Sequence, residues 1–135
     1  MIALDSNVFI YALEGNEEFG EDARQLLNAA ANGVVAGNAS ELVYLEVLTG
    51  TGGEKPARNL LEGIDITYQP VTLDVLLKAV GLRRRYALKT PDAVHVASAL
   101  AAGCTYLVTN DRTLARHKIP GVDIISLKAA VKLIQ

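Results

Sequence analysis

Short apolar runs alternate with stretches of helical periodicity along this chain, and several of the runs end in a polar or acidic residue. Residues 2–4, 34–36, 106–109 and 122–127 read as strands, and 64–71 holds another. Helical stripes cover 7–13, 17–32, 41–48, 56–63, 75–88, 91–102 and 113–118, with a helical tail over 128–134. Local chemistry supports the boundaries. Glu17, Glu18 and Glu21 place negative charge at a helix start. Gly33 suits a helix end, Ser40 and Thr90 are candidate N-caps, and Pro91 fits the first turn of the helix it opens. Consecutive parallel strands need crossover connections, so this alternation predicts an α/β fold with a parallel sheet covered on both faces.

The chain has 135 residues, half of them hydrophobic. That suits a single domain over residues 1–135 with one buried core. No apolar run approaches the length of a membrane span and the start lacks a signal-peptide layout, so a cytoplasmic protein is expected. Cys104 is the one cysteine. An intrachain disulfide and a cysteine-based zinc site are therefore excluded, and Cys104 reads as a packing residue among Ala101, Ala102 and Gly103. The segment 49–53 is Gly-rich but lacks the Lys-Ser/Thr ending of a phosphate-binding loop, so it reads as a helix connection.

Charge is unevenly spread. Residues 1–62 carry ten acids and three bases, whereas 78–118 carries eight bases and only two acids, Asp92 and Asp111. Asp5 ends the first strand, Asp92 lies in a helix first turn, and Asp111 follows the strand at 106–109. Strand C-termini and helix N-termini converge on one crevice in an α/β protein. Three carboxylates gathered there repel one another unless a cation neutralises them. The pattern points to a hard divalent metal and to metal-assisted phosphodiester chemistry. Each acid alone also reads as a helix cap or a dipole acid. Glu46 is a fourth candidate, an acid on a helix whose neighbours Leu42, Val43, Leu45 and Val47 are apolar; an exposed helix acid is the alternative. His95 and His117 are the only histidines. His95, one turn beyond Asp92, is placed to face the same cleft, with a packed core or rim histidine as the preferred reading.

Four segments together resemble the PIN domains, and within them the VapC-type toxins of toxin–antitoxin pairs. They are Ile2-Ala3-Leu4-Asp5-Ser6-Asn7, Ser40 through Glu46-Val47-Leu48-Thr49-Gly50, Thr90-Pro91-Asp92-Ala93-Val94-His95-Val96-Ala97-Ser98-Ala99, and Leu107-Val108-Thr109-Asn110-Asp111. The resemblance implies a three-layer α/β/α sandwich with a central parallel sheet and Mg²⁺- or Mn²⁺-dependent ribonuclease activity. It implies that the family's four acids fall on Asp5, Glu46, Asp92 and Asp111, with Ser6, Asn7, Thr109 and Asn110 in support. Mg²⁺ takes only one or two carboxylates directly and keeps several waters. Asp5 and Asp111 are therefore assigned to the metal, with Asp92, also counted among the metal residues, and Glu46 acting directly or through water.

Arg83, Arg84, Arg85, Lys89, Arg112 and Arg116 are the candidates for RNA phosphate contacts. Three consecutive arginines span most of a helix circumference, so 83–85 cannot all face one groove. The implied partners are an RNA substrate, a cognate antitoxin and a second copy of the chain. The apolar helices at 8–13 and 42–48 are candidate sources of a dimer or antitoxin groove. Rival readings are a catalytically inactive PIN-like scaffold or RNA-binding protein, a haloacid-dehalogenase-type phosphatase and a receiver-like domain. Asn7 stands where the phosphatase motif has its second acid, and the paired acids of a receiver are missing.

Overall fold

A computed structural model of the chain describes residues 1–51 and 54–135. Its elements run β1 (Ile2–Leu4), α1 (Ser6–Glu14), α2 (Gly20–Ala31), β2 (Gly37–Ser40), α3 (Leu42–Gly50), α4 (Glu54–Gly63), β3 (Thr67–Gln69), α5 (Leu73–Tyr86), α6 (Thr90–Ala101), β4 (Tyr106–Val108), α7 (Arg112–Ala115), β5 (Asp123–Ile125) and α8 (Leu127–Ile134). The strands form one sheet in the order β3-β2-β1-β4-β5, and every pairing is parallel. Ile2 lies opposite Gly37 on one side and Tyr106 on the other, and Leu4 lies opposite Val108.

Alternation of side chains divides the core in two. Ile2 and Leu4 join Val8, Phe9, Leu26, Val43 and Leu61 under α1–α4 and α8. Ala3 points the other way, into Val75, Leu82, Val96, Leu107 and Leu114 under α5–α7. The result is the three-layer α/β/α sandwich. Burying a side chain such as Phe9 or Leu61 completely contributes about 1.5–3 kcal/mol, so both faces are strongly held.

The sheet order also fixes where a site can form. The chain leaves β1 for β2 on one side, and returns to β4 on the other after α5 and α6. The C-terminal ends of β1 and β4 therefore bound a topological switch point, where crevices open in such sheets.

Several boundaries differ from the sequence reading. The second strand is residues 37–40, not 34–36. Gly37 and Asn38 resemble turn residues but serve packing and pairing. A Cβ on Gly37 would stand 2.8 Å from Ile66 Cγ2 and 3.1 Å from Ala30 Cβ. The Asn38 amide donates to Thr67 Oγ1 across the sheet at 2.9 Å. Helix α2 starts at Gly20, because the Asn16 side chain accepts from the amides of Glu18 and Phe19 and holds them in a turn. Its first-turn acids are thus Glu21 and Asp22. Thr90 is the first residue of α6 rather than its cap, which is Lys89. Ser40 ends β2 and the cap position of α3 falls on Glu41, although Ser40 Oγ accepts from the Leu42 amide at 3.2 Å. Cys104 is buried and free. Gly52 and Gly53 of the Gly-rich connection lie outside the described residues. Among the described residues, no helix is long and apolar enough to cross a membrane.

Candidate active site

Asp5 emerges from β1 and caps α1. Its Oδ1 accepts from the Ser6 amide at 2.7 Å and from Ser6 Oγ at 3.3 Å. Its Oδ2 accepts from Thr109 Oγ1 at 2.6 Å. The carboxylate is thereby fixed between the ends of β1 and β4, at 6% exposure. Capping and site formation are compatible here, because one residue performs both with different oxygens.

Thr109 is equally constrained. While donating to Asp5, its hydroxyl accepts from the Asp111 amide at 3.1 Å and from the Asn7 amide nitrogen at 3.4 Å. One donor and two lone pairs are all in use. Asn7 Oδ1 is buried with no hydrogen-bond partner. Asp111 caps α7, its Oδ1 accepting from the amides of Thr113 and Leu114 at 2.9 and 3.1 Å. Asn110 turns elsewhere: its Oδ1 accepts from the Leu127 amide at 3.1 Å and ties α8 to the end of β4.

Glu46 reaches the same place from α3, half-buried. Its Oε1 accepts from Ser6 Oγ at 3.0 Å and lies 2.5 Å from His95 Nε2. His95 is buried, with Nε2 also 3.4 Å from Asp5 Oδ1. The sequence reading of His95 as a packed histidine understates it. Spacing from Asp92 to His95 puts both on one helix face, but the partners Asp5 and Glu46 are remote in sequence and invisible before folding. One oxygen each from Asp5 and Glu46 and one nitrogen of His95 lie within 4.8 Å of one another.

The charges respond to this crowding. Burial holds the Asp92 carboxyl above its ordinary range, and the like charges of Asp111 and Asp5 add to the effect; His95 and Lys89 only partly offset it. Burial also disfavours the charged form of Glu46, but the hydrogen bond and charge of His95, with the Ser6 hydroxyl, outweigh it and leave its carboxyl below the usual value. For His95 burial disfavours the imidazolium, yet Glu46, Asp5 and Asp92 more than compensate and raise its pKa. Of the four acids predicted from sequence, Asp5 and Glu46 meet at His95, while Asp92 and Asp111 lie outside that close group, Asp92 acting on Asp5 and His95 through its charge and Asp111 on Asp92. A donor set of carboxylate oxygens whose mutual repulsion raises the proton affinity of Asp92 fits a divalent cation.

The basic candidates lie in the last turn of α5, at the start of α6 and on α7 with its C-terminal cap. Arg83 Nε donates to the Leu88 carbonyl at 3.1 Å and closes the end of α5. Arg84, Arg85, Lys89, Arg112 and Arg116 are exposed, with Arg85 over the Tyr86 ring at 5.6 Å. Arg112 and Lys128 flank a groove of about 370 Å³ that runs past Asp111 toward Phe19.

A parallel sheet whose switch-point crevice gathers Asp5, Glu46 and His95, with the Asp92 carboxyl charged against them, defines the class of α/β proteins built around an acidic, cation-fitting centre. The chain matches the PIN domain family over residues 2–120 and belongs to it. Its fold is similar to a toxin–antitoxin complex from Klebsiella pneumoniae, at 26% identity over 94% of this chain and 98% of that one, with a TM-score of 0.73. VapBC2 from Rickettsia felis bound to a promoter DNA fragment is similar at 19% identity over 93% and 98%, TM-score 0.69. DNA-bound VapBC from Salmonella typhimurium is similar at 20% identity over 93% and 97%, TM-score 0.69. No curated protein sequence matches the chain significantly.

Proposed function

We propose that the chain is a Mg²⁺- or Mn²⁺-dependent endoribonuclease, a single PIN domain acting in the cytoplasm as the toxin of a toxin–antitoxin pair. The observation that carries this reading is the meeting of the Asp5 and Glu46 carboxylates in the switch-point crevice of a PIN-family fold, with Asp92 coupled by charge to Asp5 and Asp111. Resemblance to the Klebsiella pneumoniae toxin–antitoxin complex supports the pairing with an antitoxin. Family membership sets aside the phosphatase and receiver readings.

In this mechanism Asp5, Asp92 and Asp111 would hold the ion, and Glu46 would act directly or through water. A bound divalent ion supplies charge to polarise the scissile phosphate and to acidify an attacking water. Ser6 and Thr109 orient the Asp5 carboxylate, one hydroxyl on each oxygen. Asn7 orients Thr109. Asn110 braces the loop between β4 and α7 by gripping the start of α8. Arg84, Arg85, Lys89, Arg112 and Arg116 contact RNA phosphates from the rim.

A homodimer belongs to the same proposal, and the helices suggested by sequence are only partly used by the core: Leu45 on α3 is 65% exposed and Ile10, Leu13 and Leu48 are partly buried. Val8, Phe9, Val43 and Val47 are fully buried inside the protomer. A further exposed apolar stripe lies on α5, at Leu73, Leu76, Leu77 and Val80, which share one helix face.

Cleavage of a pooled RNA substrate, with Mg²⁺, Mn²⁺ or EDTA, tests the function. Metal-dependent cleavage that disappears in a folded Asp5→Asn variant is the expected result. A fully active Asp5→Asn variant overturns the site. No cleavage by wild-type protein in any metal favours the inactive-scaffold reading.

A further inference from the structure

We infer that His95 is a nitrogen ligand of the metal centre, and that it shifts the centre's preference from Mg²⁺ toward Mn²⁺. The inference rests on the divalent-ion reading above and adds to it a residue outside the four acids.

His95 is 3% exposed, and its Nε2 faces two carboxylates, Asp5 and Glu46. Nothing apolar requires a histidine there, since α6 otherwise fills the same layer with Ala93, Val94, Val96 and Ala97. Neighbouring ligands of an octahedral ion bound at about 2.1 Å stand roughly 3 Å apart. The 3.4 Å between His95 Nε2 and Asp5 Oδ1 is close to that spacing. Glu46 Oε1, at 2.5 Å from Nε2, is too near to share the ion in its present rotamer. Its side chain is 28% exposed, and a change of rotamer toward solvent would part it from Nε2. A cation in this site displaces the Nε2 proton that Glu46 and Asp5 otherwise hold, and His95 and Asp5, both buried, then form the rigid part of the centre.

Ligand chemistry sets the consequence. Mg²⁺ favours an all-oxygen shell that retains several waters. Imidazole suits the transition metals, and divalent affinity at mixed nitrogen and oxygen sites rises from Mn²⁺ onward through the first-row series. One buried imidazole beside the carboxylates therefore favours Mn²⁺ over Mg²⁺, while an all-carboxylate site discriminates less.

The test is Mn²⁺ binding to the purified full chain, followed by electron paramagnetic resonance with Mg²⁺ as competitor. Asp5→Asn is the control and His95→Gln, which keeps a hydrogen-bond donor toward Glu46, is the probe. Pulsed measurement on wild-type protein is expected to show a nitrogen coupling that changes isotope when histidine is ¹⁵N-labelled. His95→Gln is expected to lose the coupling and to lower the Mn²⁺/Mg²⁺ affinity ratio by roughly tenfold or more, the scale on which removing groups around a metal weakens binding. Asp5-dependent Mn²⁺ binding without nitrogen coupling, or with an unchanged ratio in a folded His95→Gln protein, overturns the inference and leaves the nuclease reading standing. Mn²⁺ binding that is absent, or identical in wild-type and Asp5→Asn proteins, overturns both. The wild-type spectrum decides the matter even if His95→Gln fails to fold.

Discussion

Replacing Thr109 with valine isolates the bond that joins the two halves of the site. Valine matches threonine in shape, so no cavity opens and the apolar packing at the end of β4 is kept. What disappears is the hydroxyl that donates to Asp5 Oδ2 at 2.6 Å and accepts from the Asp111 amide at 3.1 Å. A hydrogen bond to a charged group contributes about 1.5–3 kcal/mol, and stranding one oxygen of a buried carboxylate realises the full loss. For a domain of this size that corresponds to a drop in Tm of about 5–10 °C. The assay is thermal unfolding by circular dichroism in EDTA, with Thr109→Ser as reference. Serine keeps the hydroxyl and loses one methyl, worth about 0.8 kcal/mol. Valine is therefore expected to melt below serine, and serine slightly below wild type. A Thr109→Val protein as stable as wild type, or more stable than Thr109→Ser, refutes the claim that this bond holds Asp5 in place.

Asp92→Asn is expected to melt above wild type at neutral pH in EDTA. The folded-state carboxyl of Asp92 is raised by burial and by Asp111 and Asp5, so its charged form costs stability at pH above its folded pKa, and that cost fades as pH falls through the ordinary carboxylate range. The advantage of the variant should shrink in parallel, and a variant less stable than wild type at pH 7 contradicts the repulsion. Gly37→Ala forces a Cβ to within 2.8 Å of Ile66 Cγ2 and should cost about 1–3 kcal/mol in urea unfolding; adding Ile66→Ala should recover part of that cost by clearing the clash. Alanine at Arg84 and Arg85 together should weaken RNA binding and flatten its salt dependence, by about 0.7 in the log–log slope for each phosphate no longer neutralised. Arg83→Ala, which frees the Leu88 carbonyl, should instead lower stability. Unchanged RNA binding after all three arginines are replaced removes the rim from the substrate path.

The acids at element ends were legible because their placement is a one-dimensional property. Asp5 and Asp111 each follow a short apolar run, and Asp92 follows a Thr-Pro helix start, so the chain order alone delivers them to the carboxyl side of a parallel sheet. The second strand was not legible for the opposite reason. Gly37-Asn38-Ala39-Ser40 has the composition of a turn, and it becomes a strand because β1 and β3 pair with it on both sides; tertiary pairing outweighs local propensity there. Glu46 and His95 fall between these cases. Each is a polar residue on an otherwise apolar helix face, which is a detectable anomaly, yet the reason for it is a hydrogen bond between residues 49 positions apart. A polar group on a core-facing helix surface needs a partner. Two such residues on helices flanking the same predicted crevice are therefore better read together than separately, since each removes the energetic objection to burying the other. In this chain the sequence marks His95 and Glu46 as separate anomalies, and only the fold, by bringing α3 against α6, shows that each is the other's partner.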